Sequence, residues 1–151
     1  MGKYFTTAEL CKSSTAKAKG IDNTPNGETL HNLDRLIADI LDPIRCNWGK
    51  PIYVNSGYRC IALNKTVGGA SNSQHILGKA ADITTGSKEG NRQLFEMILS
   101  MNLCFGQLIN EYDYSWIHIS QDDWRNINKN RKEVLDSVKS KKNKTIYMKH
   151  K

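Results

Sequence analysis

The segment Ser71–Asp82, Ser-Asn-Ser-Gln-His-Ile-Leu-Gly-Lys-Ala-Ala-Asp, constrains this chain more than any other. It sets an imidazole, His75, seven residues before a carboxylate, Asp82, with Gly78 between them and the small Ala80 and Ala81 beside the acid. A short turn there brings both groups onto one centre, the beginning of a metal site. A catalytic zinc takes three protein ligands and keeps a fourth position for water, so one more ligand has to come from elsewhere in the chain. Of the other histidines, His118 stands out, because Trp116-Ile117-His118-Ile119-Ser120 alternates as a short strand does. Spacing alone leaves an ordinary packed or surface role open to each of these residues.

At 151 residues the chain fits one globular unit able to bury a core without disulfides. No apolar run approaches the ~18–20 residues of a membrane span. Met1 to Thr7 lacks the apolar core of a secretory signal, so synthesis in the cytoplasm without a visible signal peptide is expected. Cys11, Cys46, Cys60 and Cys104 form no Cys-x-x-Cys pair and give neither a cysteine zinc site nor a disulfide framework; free thiols are expected.

The formal charge of +7 invites a nucleic-acid reading until it is divided along the chain. Residues 1–124 hold 12 Lys and Arg against 13 Asp and Glu, a net of −1, whereas residues 125–151 hold 10 against 2, a net of +8. The tail sets one Tyr147 amid lysines, which is not the basic face with stacking aromatics that a nucleic-acid binder uses. Nucleic acid is not an expected partner, and the tail reads as a solvated charged segment.

Thr6 or Thr7 caps a short helix through Cys11, and Ser13 to Gly27, rich in Ser, Lys, Gly and Asn, reads as a surface loop. Leu30, Leu33, Ile37, Ile40, Leu41 and Ile44 recur at helical spacing with one buried face; Pro43 is expected to break or kink that helix and Gly49 to end it. Pro51 to Val54 and Lys79 to Ile83 read as strands, Ile61 to Val67 as a short helix ended by Gly68-Gly69. Asn91 to Met101 reads as a long helix with Leu94, Phe95, Ile98 and Leu99 on one face. Gln107–Tyr112 and Trp116–Ser120 form a hairpin; a turn at Tyr114-Ser115 sets Glu111 opposite His118 and Asp113 opposite Trp116. A one-residue shift would put Asp113 in competition with Glu111. The tail allows a second hairpin, Lys132–Lys139 with Thr145–Lys149. His31 reads as a helix-surface residue and His150 as part of a disordered terminus.

These pieces together resemble the zinc D-Ala-D-Ala carboxypeptidases and phage peptidoglycan peptidases that share the hedgehog/DD-peptidase fold. The residues that carry the resemblance are Ser56-Gly57-Tyr58-Arg59, Leu63-Asn64 with Val67-Gly68-Gly69, Ser73-Gln74-His75 with Gly78-Lys79-Ala80-Ala81-Asp82, Gln107-Leu108-Ile109 with Glu111, and Trp116 to Ser120. Gly20-Ile21-Asp22-Asn23 and Asn32-Leu33 are similar to the compact single-domain branch. The resemblance implies an α+β fold, a small antiparallel sheet with packed helices. It implies a zinc peptidase domain, taken over residues 1–124; the charge division and the tail's own pattern add the expectation of a basic extension over 125–151, a hairpin packed on the same domain. By the same resemblance His75, Asp82 and His118 bind Zn2+, Arg59 faces the substrate and Ser73 lines the site.

Many members place the catalytic acid three residues before the last histidine, where this chain has Ser115. The general base is therefore expected to be Glu111, at the place where the compact branch carries a glutamate, with Arg59 as the second catalytic group. The activity implied is hydrolysis of peptidoglycan stem peptides, as a D-Ala-D-Ala carboxypeptidase or an endolysin-type endopeptidase acting as a monomer at the bacterial cell wall. The basic tail would attract the anionic wall. The alternative is an inactive, zinc-stabilised cell-wall-binding module on the same fold.

Overall fold

A computed structural model describes residues 2–151. Thr6 Oγ1 accepts from Glu9 N at 3.1 Å and so starts α1 (Thr7–Leu10), satisfying one of the free N–H groups of a first turn. The following segment is not the loop its composition suggests. Ser13 Oγ caps Ala16 N at 3.1 Å, α2 (Ser14–Lys19) follows, and Gly20 ends it in the left-handed region. A good cap at each end outweighs the polar composition between them.

The long apolar stripe forms α3 (Gly27–Leu36), a π-helical turn (Ile37–Leu41) and α4 (Asp42–Trp48), which Gly49 closes at φ 74°. Pro43 changes the winding of this helix instead of ending it. The wider turn just before Pro43 accommodates a residue that has no N–H to give and a ring that crowds the preceding turn. Leu33, Leu36, Ile37, Ile40, Leu41 and Ile44 are buried; Leu30, at the end of the stripe, is 40% exposed.

β1 (Tyr53–Ser56) begins two residues after Pro51, and α5 (Ile61–Thr66), β2 (Ala80–Thr84), α6 (Lys88–Ser100), β3 (Gln107–Glu111) and β4 (Trp116–Ser120) follow. On α6, Leu94, Phe95 and Ile98 are buried while Leu99 turns outward. β5 (Glu133–Lys139) and β6 (Thr145–Lys149) complete one sheet in the order β1-β2-β4-β3-β5-β6, antiparallel throughout except that β3 and β5 run parallel. The class is α+β. One set of alternating residues, Ala81, Ile83, Leu108, Ile117 and Ile119, is fully buried in a core shared with the long helices. The other set, Asp82, Ile109, Glu111, Trp116 and His118, lines a cleft on the opposite face.

The β3–β4 register differs by two residues from the expected one: Glu111 pairs with Trp116 and Ile109 with His118. Tyr112, Asp113 and Tyr114 all adopt left-handed backbone, so the connection is longer than a two-residue turn. Each such residue costs on the order of 1 kcal/mol, and the surrounding bonds hold it. Ser115 N donates to Glu111 O at 2.9 Å, Tyr114 N to Asn110 Oδ1 at 2.6 Å, and Asn91 Nδ2 to Tyr114 O at 2.9 Å. A shift of two keeps Glu111 and His118 on one face.

The C-terminal end is ordered into this framework. His150 N donates to Val134 O at 3.0 Å and its ring pairs with Asp136 at 2.9 Å and lies edge-on to Phe95, so it is no disordered terminus. His31 stacks on Trp124 with centroids 4.7 Å apart. The four cysteines are free thiols, and no helix among the described residues is long and apolar enough to cross a membrane.

Candidate metal centre and cleft

Strand pairing brings the first two groups together. Asp82 of β2 and His118 of β4 are direct cross-strand partners, and His118 Nδ1 lies 3.0 Å from Asp82 Oδ1. Neighbouring Ala80 and Ala81 are fully buried, Ala81 within the core shared with the helices and Ala80 on the face of Asp82.

His75 reaches the same oxygen from a tight helical turn, Ser73 to Gly78. Ile76 N, Leu77 N and Gly78 N donate back to Ser73 O, Gln74 O and His75 O. Gly78 has φ 70°, and a Cβ there would stand 2.6 Å from Thr29 O, so the turn requires glycine both for its backbone and for its contact with α3. Asn32 Nδ2 fastens the turn to the same helix through Leu77 O at 2.9 Å. His75 is buried, and its Nδ1 meets Gly57 O at 2.7 Å, an oxygen that can only accept. The proton is therefore on Nδ1, and Nε2 faces Asp82 Oδ1 at 3.4 Å. A nitrogen lone pair and a carboxylate oxygen at that separation need a cation or a proton between them.

The three ligand atoms lie within 4.8 Å of one another, a set that could hold a metal ion. Burial works to raise the Asp82 carboxyl, but a proton shared with the imidazoles of His75 and His118 overcomes it and holds it below the ordinary carboxylate range. An ionised oxygen between two nitrogens suits a zinc ligand set of two imidazoles and one carboxylate. The hydrogen bond from His75 Nδ1 to Gly57 O is the kind of outer support that a ligating histidine uses.

Glu111 stands at the end of β3 on the same face, 7% exposed. Ser137 Oγ donates to its Oε2 at 2.6 Å. Burial pushes the Glu111 carboxyl up, against the lowering effect of Ser137 and His118. Asp113, by contrast, projects from the turn with its side chain 86% exposed, and lies 3.8 Å from Lys88. Ser115 Oγ donates to Tyr112 O at 2.7 Å and belongs to the turn.

Arg59 lines the cleft from the segment between β1 and α5, its main chain fixed by a bond from Arg59 N to His75 O at 3.1 Å. Its Nη2 reaches Ser73 Oγ at 3.3 Å, and its Nε has no partner among the described residues. Burial depresses this guanidinium and Asp82 partly restores it; it remains a cation at neutral pH with donors to spare. Ser73 Oγ also accepts from His75 N at 3.2 Å, tying the arginine to the histidine turn.

The cleft has a volume of about 910 Å³. One wall comes from the tail: Leu135, Lys139, Thr145 and Tyr147 line it beside Tyr112 and Trp116. Sequence reasoning missed this wall and missed Ser137. The alternation of Glu133 to Lys139 signals a strand, but nothing local says that it pairs in parallel with β3. Gly57 and Asn23 carry part of the resemblance but no role could be assigned to them from it: Gly57 acts through a backbone oxygen and Asn23 through an amide that bonds Cys11 O, Tyr58 O and Cys60 N.

The model of the peptidase M15 family matches residues 3–120. Over 87 residues, 56% of this chain, the sequence is 41% identical to the zinc D-Ala-D-Ala carboxypeptidase of Streptomyces albus G. The matched stretch covers 32% of that relative's length.

Proposed function

The chain belongs to the peptidase M15 family, and from that premise we propose that it is a zinc peptidase hydrolysing peptide bonds in peptidoglycan stem peptides at the bacterial cell wall. One observation carries the reading: His75, Asp82 and His118 converge within 4.8 Å at a cleft that also holds a buried carboxylate, Glu111, and a cation, Arg59. Zinc would be held by His75 Nε2, Asp82 Oδ1 and His118 Nδ1. When bound there it supplies a Lewis acid that polarises the scissile carbonyl and acidifies a water molecule.

The remaining work falls to the chain. Glu111 takes a proton from the attacking water and returns it to the leaving amine, so that it ends the cycle ionised as it began. Its raised carboxyl suits this exchange, since a base closer to neutrality holds the proton long enough to deliver it. Arg59 binds a substrate carboxylate through its paired donors, and Ser73 lines the same end of the cleft. Gly57 O keeps His75 in one tautomer and orientation. The name of the Streptomyces relative favours a carboxypeptidase, and Arg59 suits a substrate with a free terminal carboxylate.

The test is to incubate zinc-loaded protein with defined stem peptides, with Glu111→Gln alongside, and to identify the released fragments by mass. Free D-Ala establishes a carboxypeptidase and an internal cut an endopeptidase. No product from any stem peptide would overturn the enzyme reading in favour of a zinc-stabilised wall-binding module.

A further inference from the structure

We propose that Ser137, in the C-terminal hairpin and outside the stretch that matches the family, is a positioning residue for the general base. The proposal rests on the reading of Glu111 as that base. Ser137 is 1% exposed and is the direct partner of Glu111 across the parallel β3–β5 pair. Its hydroxyl has a fixed polarity. Tyr112 N donates to Ser137 Oγ at 3.3 Å as well as to Ser137 O at 3.1 Å, so the Ser137 proton is free for Glu111 Oε2 at 2.6 Å. A donor at that distance from a carboxylate forms one of the stronger hydrogen bonds available to a protein.

Two consequences follow for the carboxylate. The bond favours its ionised form in a place where burial disfavours it, and it fixes one oxygen. Oε1 has no hydrogen-bond partner among the described residues and is left to the cleft, where a water must be met. The other ionisable groups around Glu111 are His118 of β4, Asp82 of β2 and Tyr147 of β6, with Tyr112 beside it in the turn. None of these donates to Glu111. The row Trp116–Glu111–Ser137–Tyr147, one residue from each of four neighbouring strands, lies across the cleft face, so the tail hairpin is part of the machinery and not an appendage to it.

The experiment measures kcat, KM and the pH profile of wild type, Ser137→Ala, Glu111→Gln and the double variant, all full-length, with zinc content and Tm for each. Ser137→Ala is expected to lower kcat about tenfold, the loss of one hydrogen bond to a charged group, to move the acid limb of kcat to higher pH and to leave KM within twofold. In the Glu111→Gln background the same change is expected to alter kcat by less than twofold, whereas a merely structural serine would cost activity in both backgrounds. Ser137→Cys keeps the volume and weakens the donor, and reads the same shift should the alanine variant fail to fold. An unmoved acid limb with wild-type kcat, or an equal loss in both backgrounds, overturns the role of Ser137. Wild-type turnover by Glu111→Gln overturns the base assignment itself and the inference with it.

Discussion

Asn23 supports the site from a distance, and its replacement by alanine gives a sharp test of how. Its Nδ2 donates to Cys11 O and Tyr58 O, each at 3.0 Å, and its Oδ1 accepts from Cys60 N at 2.7 Å. The amide thus ties the end of α1 to the segment that carries Gly57 and Arg59. Asn23→Ala leaves three half-buried main-chain groups without their partner. At about 1 kcal/mol net for each hydrogen bond, the loss is about 3 kcal/mol, and for a chain of this length that lowers Tm by roughly 6–12 °C. Asn23→Asp is the telling companion. It keeps size and the acceptor for Cys60 N but turns an oxygen toward two carbonyl oxygens, so at pH 7 it is expected to destabilise at least as much as alanine. Such an Asp has a raised carboxyl in the fold. Its stability is present below the ordinary carboxylate value and lost as pH rises, so the variant should recover in acid. Urea unfolding followed by circular dichroism, at constant zinc, measures all three proteins. Asn23→Ala within 1 kcal/mol of wild type, or Asn23→Asp as stable as wild type at pH 7, refutes the reasoning.

Glu111→Gln is expected to lower kcat by about 10²- to 10⁴-fold, the usual contribution of a general base. Because burial raises the Glu111 carboxyl, wild type loses stability as pH rises through that raised value; the metal-free Gln variant should be the more stable at neutral pH and no more stable below pH ~4, as thermal melts across pH would show. Chelation of zinc should lower Tm: a ligand at about 1,000 times its Kd contributes about 4 kcal/mol, roughly 8–16 °C here, and His75→Ala should abolish the zinc dependence. Gly57→Ala would set a Cβ 2.2 Å from Leu10 O, against backbone that cannot yield locally. It should cost about 1–3 kcal/mol in urea unfolding and, by displacing the oxygen that holds His75, weaken zinc binding about 10- to 100-fold in competition titration.

The parts legible in the sequence are those whose cause is local. Helical spacing marked Leu33 to Ile44, and strand alternation marked Trp116 to Ser120, because each pattern repeats within a few residues. The Ser13 cap and Gly20 stop were also on view, but averaging over the polar stretch between them hid a six-residue helix. The β3–β4 register was out of reach, since it depends on three left-handed residues held by Asn91 of α6 and by Ser137 of β5. Face, however, survives an even slip, which is why Glu111 kept its place beside His118 while its strand partner changed. Ser137 lay outside any local rule, because a parallel partner 26 residues away leaves no mark on either strand.

The same parallel pairing changes how the basic tail is to be tested. Removing everything after Trp124 would take away β5 and β6, strip Ser137 from Glu111 and bare the edge of β3, so lost wall binding would say nothing about charge. The charge can be separated from the scaffold at the β5–β6 connection. There Ser140 N bonds Lys144 O at 2.8 Å, Asn143 N bonds Ser140 O at 2.9 Å and Lys144 N bonds Ser140 Oγ at 3.1 Å, none of which uses a lysine side chain. Lys141, Lys142 and Lys144 are exposed, and changing all three to Gln brings the net charge from +7 to +4 with the turn intact. If these charges hold the protein to an anionic wall, the triple variant should sediment less with purified walls at low salt. It should match wild type near 1 M salt, where the screening length falls to about 3 Å. Turnover of a short soluble stem peptide should stay unchanged. Undiminished sedimentation at low salt would refute the electrostatic role, and the hairpin's contribution would then reside in the strands that wall the cleft and steady Glu111.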